Sequence, residues 1–418
     1  MEVFLTAFYI LFLGYLLIKW STSQERNNIH KAEIVLFFGI KIAAGFAYAW
    51  IHHHYYTGDT WAYYHASQLI YDLLPENPTD FFKLTFLPVP TTFPAHLNEI
   101  HEAIGYWKDT AAYTMVRLHV ILSIFSLGHY SVHVVFWEFF SLIGLLYVYH
   151  FLRHFVTNKS KYLLYLLIFV PSLLLWLSGA HKGGVCILGL GLILLQTIKI
   201  VKHPQFSYRI AYIVLGIMLL ASIRPYILGL LLPALLSLSV SLKHPTYVFY
   251  KYIGIYTSIG LFTLLLGKMF PSFDILPKLV QTQSYFLRNY NGNSDIALQT
   301  LEPNVWSFIS VAPQAFYNTM LRPTFWNMHN ELSVLAGLET MGLIFFFIFC
   351  VFRSKGIPNK PLFYFCIFFS LSYFLLIGLT VDNLGAIVRY RAVPLLFLIV
   401  GMASLVMKDS FKEVRGQF

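Results

Sequence analysis

Residues 171–195 read PSLLLWLSGAHKGGVCILGLGLILL, two apolar stretches separated only by the short polar segment 178–184. A helix that crosses the hydrocarbon core needs about 20 predominantly apolar residues. Two such segments with so little chain between them form a hairpin of membrane helices, with Lys182 at the corner. The rest of the chain agrees, being 57% hydrophobic, 18% aromatic and only 11% charged. A soluble domain carries about 25% charged residues. The expected fold is an all-α polytopic membrane protein, a single transmembrane domain over residues 1–418. The net charge of +10 comes largely from basic residues that flank apolar runs, where they fix orientation. It marks membrane lipids, not nucleic acid, as the partner. Cys186, Cys350 and Cys366 all lie inside apolar runs, which fits neither a disulfide framework nor a zinc site.

Spans are expected near 2–20, 33–51, 132–152, 162–178, 184–200, 209–223, 227–242, 252–269, 336–352, 361–380 and 390–407. The first has no basic residues before it and reads as an uncleaved signal anchor. The stretch 111–127 is short and contains Arg117 and His119. Counted as a twelfth span, it would place the basic loop at 153–161 outside, against the positive-inside rule. Taken as an interfacial or re-entrant helix, it leaves 21–31, 153–161, 199–209, 243–251, 353–360 and 408–418 together in the cytoplasm. About 11 transmembrane helices, with the N-terminus outside, follow from that choice. Two long external loops, 52–131 and 270–335, then carry interfacial helices; structureless loops of such length are usually functional.

Charged residues at the external ends form the candidate site. In TGDTWAYYHAS, Asp59 follows Gly58 at the end of the second span and opens a stretch of helical periodicity. It is both a favoured helix N-cap and a candidate general base, and the two roles are compatible. His65, six residues on, is a possible partner, whereas His52–His53–His54 point in different directions on a helix and do not face one ion. In SGAHKGG, Lys182 beside His181 opposes the dipole of the helix that it begins. Either it snorkels to the interface, or an anion binds there, held by backbone N–H groups and the ammonium together. SIRPY repeats the arrangement with Arg224 and Tyr226, and VRYRAVP with Arg389 and Arg391. Arginine suits forked recognition of phosphate, so these four cations are read as a phosphate or pyrophosphate cradle, with ion pairs or lipid headgroups as the competing role. A further group, Arg322, His329 and Glu331, precedes a span that still contains Glu339. An acid inside a span faces a cavity or a cation, so Glu339 is either an acceptor-hydroxyl site or a salt-bridge partner. Glu138 is a second intramembrane acid.

With these motifs the chain resembles the GT-C superfamily, polytopic glycosyltransferases that use polyprenyl-phosphate-linked sugars. Asp59 in TGDTWAYYHAS matches the acidic residue of that superfamily's first large external loop. Lys182 in SGAHKGG, Arg224 in IRPY and Arg389/Arg391 in RYRAVP match the basic residues at later external helix ends. RPTFWNMHNELSVLAGLE is similar to stretches in bacterial envelope-polysaccharide enzymes. The resemblance implies transfer of a sugar from a polyprenyl-phosphate donor to a glycan or lipid acceptor, outside the bacterial cytoplasmic (inner) membrane. Asp59 would be the base, and the cations would hold the departing phosphate. Two departures stand out: an extra span before the acidic loop, and GD where paired acids are usual. No metal or other cofactor is assigned. The nearest competing function is a polysaccharide polymerase or ligase that uses a lipid-pyrophosphate oligosaccharide. A transporter or flippase of lipid-linked glycan is the second, expected to carry polar sites near the midplane in matching halves.

Overall fold

The computed structural model describes residues 1–23, 29–55, 59–90, 92–156, 161–202, 207–289, 294–354 and 356–407. Gly58, Lys159 of the 153–161 loop, residues 290–293 of the second long loop and the tail 408–418 lie outside the described residues. In chain order the helices are α1 (Glu2–Ser23), α2 (Lys31–His54), α3 (Asp59–Tyr71), α4 (Leu73–Glu76), α5 (Pro78–Phe86), α6 (Asn98–Ala103) and α7 (Thr110–Ser126). Then come α8 (Tyr130–Arg153), α9 (Lys161–Phe169), α10 (Pro171–Trp176), α11 (Lys182–Lys202), α12 (Ser207–Ile223), α13 (Pro225–Lys243) and α14 (Val248–Met269). The last five are α15 (Ile275–Asn289), α16 (Val305–Phe316), α17 (Glu331–Phe352), α18 (Lys360–Thr380) and α19 (Leu384–Val406). An isolated bridge pairs Asp295 with Asn383. The chain is an all-α, multi-pass membrane protein.

Nine described helices are long and apolar enough to cross a membrane: α1, α2, α8, α11, α13, α14, α17, α18 and α19. They account for nine of the eleven expected spans. The remaining two take other forms. The apolar run 162–178 is broken into α9 and α10, because Pro171 starts a new helix and Val170 before it is extended (ψ 122°). Proline both removes a backbone donor and disfavours helical geometry in the preceding residue. The run 209–223 becomes α12, at 17 residues the same length as α7. Seventeen residues rise about 26 Å, slightly less than the ~30 Å hydrocarbon core. Length therefore does not distinguish α7, expected to be interfacial or re-entrant, from α12, expected to span.

The helix ends sort into two rims. On one, Thr6 meets Ser131 (2.7 Å), Tyr9 donates to Phe125 O, and Thr60 donates to Ala180 O. The same rim holds the pairing of Ile296 N with Asp382 O (2.7 Å). On the other, Tyr165 donates to Glu33 (2.8 Å), Arg209 to Lys199 O (2.9 Å) and Tyr252 to Pro361 O (2.9 Å). This grouping agrees with the expected division of the loops between two faces.

Helices α8 and α11 form the centre of the bundle. They approach closely because a Cβ on Gly191 would stand 2.6 Å from Gly144 O. Small residues at such crossings let backbones pack where lipid supplies no hydrophobic driving force. Leu261, Phe262 and Leu265 on α14, and Phe345 and Phe349 on α17, point outward, as lipid-facing side chains do.

Candidate functional site

The α10–α11 corner, residues 177–181, is irregular backbone, and irregular backbone at membrane depth must have its polar groups satisfied by protein. Three helices do so. Lys41 of α2 donates to Leu177 O (2.8 Å) and Ser178 Oγ (2.6 Å), and pairs with Glu138 of α8 at 3.2 Å. Glu138 accepts from Gly179 N, and Ser141 donates to Leu177 O. Thr60 of α3 closes the set at Ala180 O (3.0 Å), itself receiving the Tyr130 hydroxyl at 2.9 Å. Gly179 sits at φ +84°, and a side chain there would strike the Tyr48 ring. Lys41 lies 13 residues from the His54 end of α2, and Glu138 eight from the start of α8. Those offsets are about 20 Å and 12 Å along the helices. The corner is sunk into the bundle, not lying at its surface as the sequence was read.

Sinking the corner opens a cavity of about 260 Å³ above it. Its polar wall comes from four separate places in the chain. Asp59 and Tyr63 lie on the first turns of α3, His181 and Lys182 on the corner, Arg224 between α12 and α13, and Arg389 and Tyr390 near the start of α19. Tyr226 also lines it. The opposite wall is apolar, made by Ile223, Leu279, Phe286, Leu376, Ile377 and Val381. Leu279 and Phe286 belong to α15, which roofs this side.

The cations are unequally partnered. Arg389 Nη1 lies 3.6 Å from Asp59 Oδ2. Arg224 is 5% exposed, yet among the described residues no carboxylate lies within ion-pair distance of it and none of its guanidinium nitrogens is hydrogen-bonded. Its guanidinium rests 4.6 Å from the Tyr390 ring centroid, and Arg389 stands 5.2 Å from the same ring. Lys182 likewise faces a ring, Tyr63 at 5.7 Å, with no ion-pair partner among the described residues. An aromatic face attracts a cation but does not replace the counter-ion that a buried charge requires. His181 is 3% exposed, and its Nδ1 accepts from Gly183 N at 2.9 Å, so Nε2 carries the hydrogen and has no partner. Burial first, then Arg389 and Arg224, push the His181 pKa well below the usual imidazole value. His181 is a neutral, unused donor. Comparison with known protein families, with characterised proteins and with solved structures finds no match. Whatever the cavity does must be argued from its own residues.

Three of the four cations expected together, Lys182, Arg224 and Arg389, line this one cavity. Arg391 is elsewhere. It is 2% exposed and donates to Thr319 O (3.3 Å), Arg322 O (2.6 Å) and Thr340 Oγ1 (2.7 Å), with Glu339 as its electrostatic partner. The reason is helical geometry: residues i and i+2 lie about 200° apart, so Arg389 and Arg391 cannot face one cavity. Glu339 in turn accepts from Ser172 N (2.8 Å) and from Ser172 Oγ, and it lies outside the cavity lining. Arg322 stacks on Tyr317 at 5.0 Å, and His329 N donates to Ser333 Oγ at 2.8 Å. Glu331 is exposed at the start of α17, and exposed His65 stacks on Trp61. None of Arg322, His329, Glu331, Glu339 or His65 lines the cavity. His52 and His54 turn back to carbonyls of their own helix, Tyr48 O and Trp50 O. No group of three or more His, Cys, Asp or Glu able to hold a metal ion occurs among the described residues.

Sequence reasoning missed Lys41, Thr60, Tyr63 and Tyr390. Lys41 alone carried a readable signal, a lone cation near the middle of a span, which requires a partner and finds it in Glu138.

Proposed function

We propose that the chain is a GT-C-like glycosyltransferase that moves a sugar from a polyprenyl-phosphate-linked donor to a glycan or lipid acceptor, at the outer face of a bacterial cytoplasmic membrane. One observation carries the reading. A single cavity joins a carboxylate, three cations and an apolar wall, and two of those cations have no carboxylate within ion-pair distance among the described residues. An amphiphile with a phosphate head answers each part. Lys182 and Arg224 gain a counter-ion, and Ile223, Leu279 and Phe286 receive the first isoprene units.

The chemistry follows from that placement. Asp59 has 47% of its side chain exposed, so an acceptor hydroxyl approaching from outside reaches it. Asp59 takes the hydroxyl proton as the oxygen attacks the anomeric carbon. The bond from that carbon to the phosphate oxygen breaks, and the phosphate leaves with the electron pair. Negative charge grows on the leaving phosphate, next to Lys182, Arg224 and the Nε2–H of His181. Donors already in place where charge develops lower the barrier. Arg389, 3.6 Å from Asp59, orients the carboxylate until the acceptor arrives. The cavity volume lies just below the roughly 300–1,000 Å³ of pockets that enclose drug-sized ligands. That size favours a headgroup with a single sugar over a whole oligosaccharide repeat.

The test is transfer by the purified protein. In detergent or nanodiscs, wild-type protein given a panel of radiolabelled polyprenyl-phosphate sugars and membrane-extract acceptors should label an acceptor, and Asp59→Asn should not. Transfer by Asp59→Asn at the wild-type rate would remove Asp59 from the mechanism. Failure of every lipid-linked donor to bind would remove the donor class.

A further inference from the structure

We infer that the cavity selects a phosphoryl headgroup carrying two negative charges, so that the donor is a polyprenyl diphosphate diester rather than a monophosphate diester. The inference rests on the lipid-linked donor reading above and deepens it.

The argument is one of charge balance in a buried space. The lining holds Lys182, Arg224 and Arg389 against Asp59, three positive groups and one negative, an excess of two. Asp59 and Arg389 satisfy each other at 3.6 Å. The excess is thus located on Lys182 and Arg224, which face the rings of Tyr63 and Tyr390 and, among the described residues, have no carboxylate within ion-pair distance. Nearby acids do not cancel it. Asp109, exposed at the N-cap of α7 where it accepts from Ala111 N and Ala112 N at 2.9 and 3.0 Å, keeps its charge and acts on Lys182, but it lies outside the lining and beyond ion-pair distance, where solvent screens it. Glu138 is wholly buried against Lys41. Asp382, beside lining residue Val381, is itself not in the lining, and burial together with Asp295 raises its pKa. His181, neutral, adds a donor without adding charge.

A monophosphate diester brings one negative charge and leaves one desolvated cation uncompensated. A diphosphate diester brings two, one for Lys182 and one for Arg224, and its additional oxygens give the unpartnered Nε2–H of His181 an acceptor. Buried charges are tolerated when paired and hydrogen-bonded, and the diphosphate is the headgroup that pairs both. Inorganic pyrophosphate shares this chemistry but has no use for the apolar wall.

The experiment uses full-length protein in detergent and three probes: the P-methyl ester of farnesyl phosphate (one charge), the P-methyl ester of farnesyl diphosphate (two charges) and inorganic pyrophosphate. The methyl esters remove any dependence on the sugar. Titration calorimetry should show the diphosphate ester binding about tenfold or more tightly than the monophosphate ester, the value of one added charge-assisted contact. Arg224→Gln, and independently Lys182→Gln, should weaken the diphosphate ester more than the monophosphate ester and so reduce the preference. Equal affinities, or tighter monophosphate binding, overturn the inference while leaving the lipid-donor reading intact. If neither ester binds, both fail. Pyrophosphate binding as tightly as the farnesyl diphosphate ester upholds the charge selection and overturns the lipid source.

Discussion

Replacing Glu138 with leucine removes the carboxylate from Lys41 while leaving the ammonium in a space with no water to receive it. Both side chains are 0% exposed and stand 3.2 Å apart. Breaking a buried pair from one side costs about 3–5 kcal/mol, mostly because the surviving charge is left alone. Lys41→Met should cost a similar amount, since it strands Glu138 in turn. The two changes together should cost much less than their sum, because an apolar pair of similar volume removes the desolvation penalty along with the attraction. The double variant should not return fully to wild type, however. Lys41 also donates to Leu177 O and Ser178 Oγ, and Glu138 accepts from Gly179 N. Losing these leaves Gly179 N unmatched, at about 1–3 kcal/mol for a group that water cannot reach, while Leu177 O keeps Ser141 as its donor. Reversible unfolding in mixed micelles would give the four stabilities of the cycle. The expected result is two large single effects and a strongly favourable coupling energy. Additive effects, or single changes costing less than about 1 kcal/mol, would refute the view that this pair holds the corner. Because the corner carries His181 and Lys182, headgroup affinity should fall in the double variant even where stability has partly recovered.

Other outcomes follow from the same geometry. Arg389→Gln leaves the Asp59 carboxylate without its cation and so should reduce phosphate-ester affinity about tenfold by repulsion with little loss of stability. Arg391→Gln should do the opposite, costing about 1–3 kcal/mol for each buried acceptor left without a donor with affinity kept. Thermal melts and ligand titrations on both variants check this contrast. His181 stays neutral in the fold because burial, then Arg389 and Arg224, depress its pKa, while the unfolded chain takes up a proton below about pH 6.5. Stability is therefore fully present above that pH and declines as pH falls, by up to about 1.4 kcal/mol per pH unit for this one group. His181→Gln should show a correspondingly shallower decline between pH 7 and pH 5.5. Gly191→Val should destabilise the fold by about 1–3 kcal/mol through overpacking, since its Cβ would lie 2.6 Å from Gly144 O; unfolding of the variant measures it.

Much of this architecture was legible because apolar runs and flanking cations are local signals. The long helices fall where the runs do, and Asp59, Lys182, Arg224 and Arg389 meet at one cavity, whereas Arg322 and Arg391 lie outside it. What was hidden depended on direction within an element. RYR reads as two cations at one helix end, and only the turn of the helix sends Arg389 to the cavity and Arg391 to Thr319 and Thr340. The run 162–178 reads as one span because its composition is uniformly apolar, although Pro171 divides it. The depth of the SGAHKGG corner is set by Lys41 and Glu138, 97 positions apart (138 − 41) on different helices, and no spacing rule connects them. Arg224 was found as a cation at a corner. Its lack of a partner, the property that points to a ligand, is a fact of three dimensions.

The central claim is that Lys182 and Arg224 are held ready for the phosphate of a lipid. A cryo-electron microscopy structure of the protein with a polyprenyl phosphate or diphosphate tests it most directly. The account expects phosphoryl density in contact with Lys182 Nζ and the Arg224 guanidinium, with the chain leaving along Ile223, Leu279 and Phe286. Phosphoryl density bound elsewhere, with Lys182 and Arg224 still facing only tyrosine rings, would contradict it.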